Sequence, residues 1–198
     1  MTNRYDKIID IINEHKPKTL VEVGTWNGER ALKMIKAALN HHETVHYTGY
    51  DLFSVDDIEV HKREFNWLEG SKKVNGLVKP PSTVERINEK FLQASGTMKF
   101  TFELIMGDTR ETLTDRSDDF VFLDGGHSVE TIRSDYSHLV GCKVVVLDDY
   151  YMNYPDTDVF GCNQVVDNLK DVEVIIHPHG DEFAHLKGGA IHIVEVIH

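Results

Sequence analysis

The stretch VFLDGGHSVE (residues 121–130) carries an apolar run straight into Asp124, two glycines and His127. A second run, KVVVLDDYYM (143–152), meets the adjacent carboxylates Asp148 and Asp149. Short unbroken runs of Val, Leu and Phe suit strands buried on both faces of a sheet. In an open α/β sheet, ligands lie outside the carboxyl ends of the strands. Two such strands ending in acid therefore point to a binding edge.

Outward from this pair the same alternation recurs. Ile8, Ile9, Ile11 and Ile12 predict an amphipathic helix over 4–15, ended by Pro17, and TLVEVG (19–24) follows as a buried strand. NGERALKMIKAALN (27–40) predicts a helix with Asn27 as candidate cap, and VHYTGYD (45–51) a strand. STVERINEKFLQAS (82–95) reads as a helix capped by Ser82 or Thr83; KFTFELIMGD (99–108) and DDFVFLDGG (118–126) read as strands. A helix opened by Ser128, the strand KVVVLDD, and a helix at FGCNQVVDNL (160–169) complete the alternation. The final strands, VEVIIHP (172–178) and GGAIHIVEVIH (188–198), form an antiparallel pair. Strands separated by helices imply a mainly parallel sheet covered on both faces. The polar segment 53–81 breaks the rhythm and is too long for a plain connection, so a lid or substrate insertion is expected there.

The 198 residues suit one domain, 1–198. Lys and Arg number 21 against 33 Asp and Glu, a formal charge of −12, which disfavours a phosphate-backbone partner. The modest basic stretch at 61–73 is interrupted by acids. No run approaches the roughly 20 apolar residues that span a bilayer, and the N-terminus lacks a signal-peptide core. Cys142 and Cys162 are too few for a disulfide framework. A cytoplasmic protein without membrane or nucleic-acid partners is expected.

LVEVGTWNGER (20–30) places Gly24 straight after the first strand and Gly28 at the next helix, where a bare backbone lets a ligand or helix approach. The pattern is E-x-G-x-x-x-G, neither a dinucleotide G-x-G-x-x-G nor a triphosphate-binding loop. Asp51 ends the second strand, where a carboxylate can accept from two ribose hydroxyls. Asp108 in MGDTRETL (106–113) ends the third and is placed to meet an adenine amino group. Each acid alone is equally readable as a helix cap or loop carboxylate.

The ordered set VEVGTWNG, YTGYD, IMGD, FVFLDGGHS and VVVLDDYY resembles the class I S-adenosylmethionine-dependent methyltransferases over residues 18–198, most closely metal-dependent small-molecule O-methyltransferases. The resemblance implies a Rossmann-like, doubly wound, seven-stranded and mostly parallel α/β sheet with the last strand antiparallel. It puts Glu22 and Gly24 near the methionine part of S-adenosylmethionine, Asp51 on the ribose and Asp108 at the adenine. The full cofactor-binding set expected is Glu22, Gly24, Thr25, Gly28, Asp51, Leu52, Gly107, Asp108 and Asp124. Where the family often has a third glycine, position 26 is Trp.

Three converging carboxylates repel one another unless a cation sits among them. Asp124, Asp148 and Asp149 are therefore the expected ligands of a divalent ion, Mg²⁺ first, which would orient and acidify an acceptor hydroxyl. His127, three residues past Asp124, matches the D-x-x-H arrangement in which some members of the family use histidine as base, so the resemblance implies His127 and Asp124 as the catalytic pair. The bland alternative has Asp148 capping a turn and His127 bonding a carbonyl. Tyr150, Tyr151 and Tyr154 could wall a pocket for a small-molecule acceptor; His177, His179, Asp181 and His185 suit substrate contact or solvation. Two rival readings stand beside the O-methyltransferase: a nicotinamide-dependent oxidoreductase, since Asp51 suits any adenosine ribose, and a non-catalytic S-adenosylmethionine-binding module.

Overall fold

The structure is a computed structural model and describes residues 4–53, 60, 63–64, 82–152, 161–178 and 190–198. Its elements in chain order are α1 (Arg4–His15), β1 (Thr19–Val23), α2 (Glu29–Leu39), β2 (Val45–Asp51), α3 (Val84–Ser95), β3 (Phe100–Met106) and α4 (Thr109–Thr112). They continue as β4 (Phe120–Leu123), α5 (Val129–Ser137), β5 (Val144–Met152), α6 (Gly161–Val166), β6 (Glu173–His177) and β7 (Ala190–Ile197). The strands form one seven-stranded sheet in the order β3-β2-β1-β4-β5-β7-β6. Pairings from β3 to β5 are parallel, and β7 runs antiparallel to both β5 and β6. β6 therefore points the same way as the central strands.

The continuous apolar runs read as two-faced strands because each strand feeds two cores. On one face Leu20, Phe122 and Val146 pack under Ile8, Ile12, Met34 and Ile35 of α1 and α2. On the other, Val21, Val121, Val145 and Val194 pack under Ile132, Leu139 and Val165. Phe91 of α3 closes the first core edge-on, 5.5 Å from the ring of Tyr47 and 5.2 Å from that of Phe102. Ser128 and Thr83 cap their helices through side-chain oxygens.

Two expectations need correction. The cap residue of α2 is Gly28, in left-handed backbone (φ 72°), although Asn27 Oδ1 still accepts from Glu29 N at 3.0 Å. Only glycine serves there, because a Cβ would lie 2.8 Å from Phe91 of α3. Nor does β5 stop at Asp148 and Asp149. It runs on to Met152, and its pairing with β7 jumps from Leu147↔Val194 to Tyr150↔His192. The two acids thus occupy a β-bulge, an extra residue that kinks the strand. Of the expected insertion at 53–81, only Phe53, Val60, Arg63 and Glu64 are described, the last three helical; Tyr154, His179, Asp181 and His185 also lie outside the described residues.

Candidate active site

Strand register fixes the edge. Val23 pairs with Tyr50 and with Leu123, Asp51 with Met106, and Leu123 with Leu147. Gly24, Asp51, Gly107, Asp124 and Asp148 consequently stand in one row along the carboxyl ends, about 4.8 Å apart from strand to strand. The chain leaves β1 for β2 and β3 on one side and later adds β4 and β5 on the other. The crevice at this reversal opens between Gly24 and Asp124, where such sheets bind their ligands.

On the β2–β3 side the acids are braced by backbone. Asp51 Oδ2 accepts from Trp26 N at 2.7 Å and Oδ1 from Phe53 N at 2.9 Å. Both donors sit in left-handed backbone, φ 48° and 41°, with Leu52 between Asp51 and Phe53. A carboxylate has about four lone-pair sites, so two remain that suit ribose hydroxyls. Gly107 (φ 142°) donates to Asp51 O at 3.0 Å and ties the two strand ends together. Asp108 caps α4, accepting from Arg110 N at 3.1 Å, and its Oδ2 lies 2.9 Å from Arg63 Nη1.

The glycine loop itself is shaped by protein. Gly24 (φ 94°) donates to Tyr50 O at 2.8 Å, and a Cβ there would lie 2.1 Å from the carbonyl oxygen of Asp124. Glycine is thus required at this position by the exit of β4, before any ligand is considered. Glu22 is 0% exposed and turns inward. Its Oε1 accepts from Arg30 Nε at 2.6 Å and its Oε2 from the Tyr47 hydroxyl at 2.5 Å. Burial pushes the Glu22 carboxyl above its usual range, against the pull of Arg30 and Tyr47. Thr25 is also buried, its hydroxyl 3.1 Å from that of Tyr47. Trp26 lies on the surface, 36% exposed.

On the β4–β5 side the acids face cations. Arg30 Nη1 reaches Asp124 Oδ2 at 2.5 Å while its Nη2 donates to Gly24 O at 2.9 Å. The same guanidinium lies 5.0 Å over the ring of Tyr5 and 4.6 Å over that of Phe122. His127 Nδ1 is 3.0 Å from Asp149 Oδ2. The bulge makes this contact possible, since it puts Asp149 in left-handed backbone, φ 61°, with its N–H on Asp148 Oδ1 at 2.9 Å. Burial disfavours the imidazolium, but the Asp149 hydrogen bond and the charges of Asp149, Asp124 and Glu64 outweigh it, so the pKa of His127 is raised. Tyr151 N and O are bonded by the amide of Asn163, both at 2.9 Å, and Tyr150 donates to Asp167 at 2.8 Å.

The residues expected to hold a cation do not form a cluster as placed. Asp124 turns toward Arg30 and Asp149 toward His127, and Asp148 is 2% exposed. Among the described residues no group of three His, Cys, Asp or Glu side chains is arranged for a metal. His177 is committed elsewhere, its Nε2 being 2.7 Å from Glu195 Oε2.

Two contributors escaped the sequence reading. Arg30 carried a signal: an arginine in the first turn of a helix opposes the helix dipole and needs acidic partners. Glu64, 6% exposed, accepts from the backbone of His127 and Ser128 at 2.9 and 3.0 Å and from the Thr131 hydroxyl at 2.7 Å. It sits in the segment expected as a lid or insertion, where the sequence named no partner for it.

Sheet order, reversed seventh strand and crevice between Gly24 and Asp124 define a Rossmann-like α/β fold of the methyltransferase kind. A family model described as a methyltransferase domain matches residues 21–150, and the chain belongs to that family. No curated protein matches it. Among solved structures, the S-adenosylhomocysteine-bound methyltransferase PaMTH1 of Podospora anserina aligns over 100% of this chain and 79% of its own, at 14% identity and a TM-score of 0.58. The O-methyltransferase TomG of Streptomyces achromogenes, involved in tomaymycin synthesis and solved with S-adenosylmethionine, covers 98% and 79%, at 14% identity and a TM-score of 0.55. An rRNA methylase of Streptococcus thermophilus covers 100% and 97%, at 9% identity and a TM-score of 0.61. At such identities these likenesses speak for the fold. No helix among the described residues is long and apolar enough to cross a membrane.

Proposed function

We propose that the protein moves the methyl group of S-adenosylmethionine onto a hydroxyl of a small molecule, with His127 as general base. The observation that carries this reading is the His127–Asp149 pair on the binding edge, beside the crevice between Gly24 and Asp124. The edge fits the adenosine moiety through the chemistry of its acceptors: Asp51 has lone pairs for ribose hydroxyls, and Asp108 offers a carboxylate to the adenine amino group. Glu22 and Thr25 support the loop from within.

When bound, S-adenosylmethionine supplies an electrophilic methyl group on sulfur. His127 would take the proton of the acceptor hydroxyl, and the oxygen electron pair so released would form the new bond to the methyl carbon as the carbon–sulfur bond breaks, its electron pair staying on the sulfur of the departing S-adenosylhomocysteine. Asp149 orients the imidazole and, with Asp124, stabilises the imidazolium until the proton passes to solvent. Arg30 holds Asp124 and the Gly24 carbonyl in one grip, fixing the base-bearing loop relative to the glycine loop.

A cation at Asp124, Asp148 and Asp149 would require Asp124 to leave Arg30 and Asp149 to leave His127. Methyl transfer in EDTA decides the matter: loss of activity restored by Mg²⁺ would return the cation to these acids. A small acceptor is favoured over nucleic acid by the formal charge of −12. A reducing compartment such as the cytoplasm accords with Cys142 and Cys162, both free and buried. The test of the reading is a thermal-shift comparison of S-adenosylhomocysteine with NAD. Stabilisation by S-adenosylhomocysteine is expected; stabilisation by NAD alone would favour an oxidoreductase.

A further inference from the structure

We infer that Arg63 and Glu64 form a coupling strap that positions the His127 loop according to whether adenosine occupies the β3 end, an inference that rests on the methyl-transfer reading. The strap is a continuous chain of polar contacts. Asp108 Oδ2, at the end of β3, lies 2.9 Å from Arg63 Nη1, and Arg63 Nε donates to Glu64 Oε1 at 2.7 Å. Glu64 Oε1 also accepts from the Thr131 hydroxyl, while Oε2 accepts from the amides of His127 and Ser128. Two adjacent residues thus link the outer strand end to the loop that carries the base, across the sites between them.

The carboxylate is seated rather than resting on the surface. A Cβ at Gly126 would lie 3.0 Å from Glu64 Oε2 and 2.3 Å from the Thr131 methyl, so bare backbone is needed where Glu64 docks. The first amides of a helix have no partner within it. In α5 the Ser128 hydroxyl satisfies only Thr131 N, at 3.2 Å, and Glu64 satisfies the two amides before the helix, including that of His127 itself. A carboxylate also suits the positive end of the helix dipole. Glu64 touches no reacting atom in this scheme; it is a positioning residue.

Coupling follows from competition at Asp108. Its Oδ1 is occupied by Arg110 N and its Oδ2 by Arg63. An adenine amino group donating to Asp108 competes with Arg63 for that carboxylate. Arg63 then leans on its other partner, Glu64, and tightens the strap on the loop. Cofactor binding and base placement would be linked through this pair of side chains, each site biasing the other.

Amide hydrogen exchange on the full chain, with and without S-adenosylhomocysteine, tests this without knowledge of the acceptor. In the wild type the ligand is expected to slow exchange across 127–131 at least fivefold. Arg63→Met, which keeps the length and removes the charge, should bind the ligand yet lose most of that slowing. Glu64→Gln, which keeps volume and one acceptor oxygen, should speed exchange at His127 and Ser128 about tenfold or more while β1 and β4 stay as protected as in the wild type. The inference is overturned by an equal ligand response in Arg63→Met, by wild-type binding without slowing, or by unchanged exchange in Glu64→Gln. A wild type that does not bind S-adenosylhomocysteine would instead bring down the cofactor reading, and the Glu64→Gln result would still judge the grip on the loop.

Discussion

The two halves of the binding edge hold their carboxylates by different means. At the β2–β3 ends, Asp51 and Asp108 are met by backbone amides of Trp26, Phe53 and Arg110, and Asp108 also by the guanidinium of Arg63. At the β4–β5 ends, Asp124 and Asp149 are met by Arg30 and His127. Backbone amides do not titrate and do not move without the fold, so Asp51 is a fixed receptor, while Asp108 also keeps an exchangeable partner, Arg63. Side-chain cations can be neutralised, swung away or exchanged, so the second half can do chemistry. That division suits an enzyme in which one half binds an invariant adenosine and the other handles a proton.

The largest effect should come from the reactive half. His127→Ala is expected to lower the methyl-transfer rate by roughly 10²–10⁴-fold, the usual worth of a general base. Calorimetry should find S-adenosylhomocysteine affinity nearly unchanged; equal losses in rate and affinity would erase the contrast between the halves. Asp149→Asn sharpens the point. Its charge and hydrogen bond raise the His127 pKa, and His127 must be neutral to accept a proton. The acidic limb of the rate profile should therefore move to lower pH in that variant.

Arg30→Met comes next, and its cost should appear in stability. It leaves Glu22 fully buried without its cation and Asp124 without its partner, which should cost about 3–5 kcal/mol in a urea titration. An undisturbed midpoint would mean that Arg30 is ornamental. Asp51→Ala should weaken S-adenosylhomocysteine binding by roughly 1.5–3 kcal/mol, as for a hydrogen bond to a charged group. Unchanged affinity would remove ribose from Asp51 and leave it as a loop brace.

The smallest expected effect concerns an acid that belongs to neither half. Asp135 on α5 is fully buried. Burial, with the charges of Glu64 and Asp108 and only partly offset by Thr109, pushes its pKa to about 7. A carboxyl raised in the folded state lends stability when protonated and loses it as pH climbs from about 4 to about 7. Asp135→Asn should thus raise stability by roughly 1–3 kcal/mol at pH 8 and by little at pH 4. Equal gains at both pH values would assign the effect to packing.

Much of this was legible beforehand, for identifiable reasons. Apolar runs such as VFL and VVVL, spaced by helical periods, specify two-faced strands, so the sheet followed, while the reversed last strand came from the short connection before it and from the family resemblance. Acids at strand ends could be placed in a row because register follows from where the runs stop. Their partners could not. Arg30 reaches Glu22 and Asp124 only once β1, β4 and α2 are packed, and Glu64 meets His127 across 63 residues of chain. The bulge was hidden by the run itself: with apolar residues on both faces, Val144 to Leu147 carry no alternation from which a slipped residue could be noticed.

That bulge changes the phase of the strand. Val144 and Val146 face the α1 side, and Val145 and Leu147 the α5 side. By simple alternation Tyr150 would join the even-numbered set, yet it packs with Val145 and Leu147. The extra residue works as a parity switch: upstream it leaves the core untouched, and downstream it exchanges inside for outside. Removing one residue at 148–149 would not shorten a loop. It would restore the old parity, turn Tyr150 and Tyr151 to opposite layers, and pull the remaining carboxylate back into line with the strand, out of reach of the imidazole. The strand's geometry and the His127–Asp149 contact are set by the same single insertion.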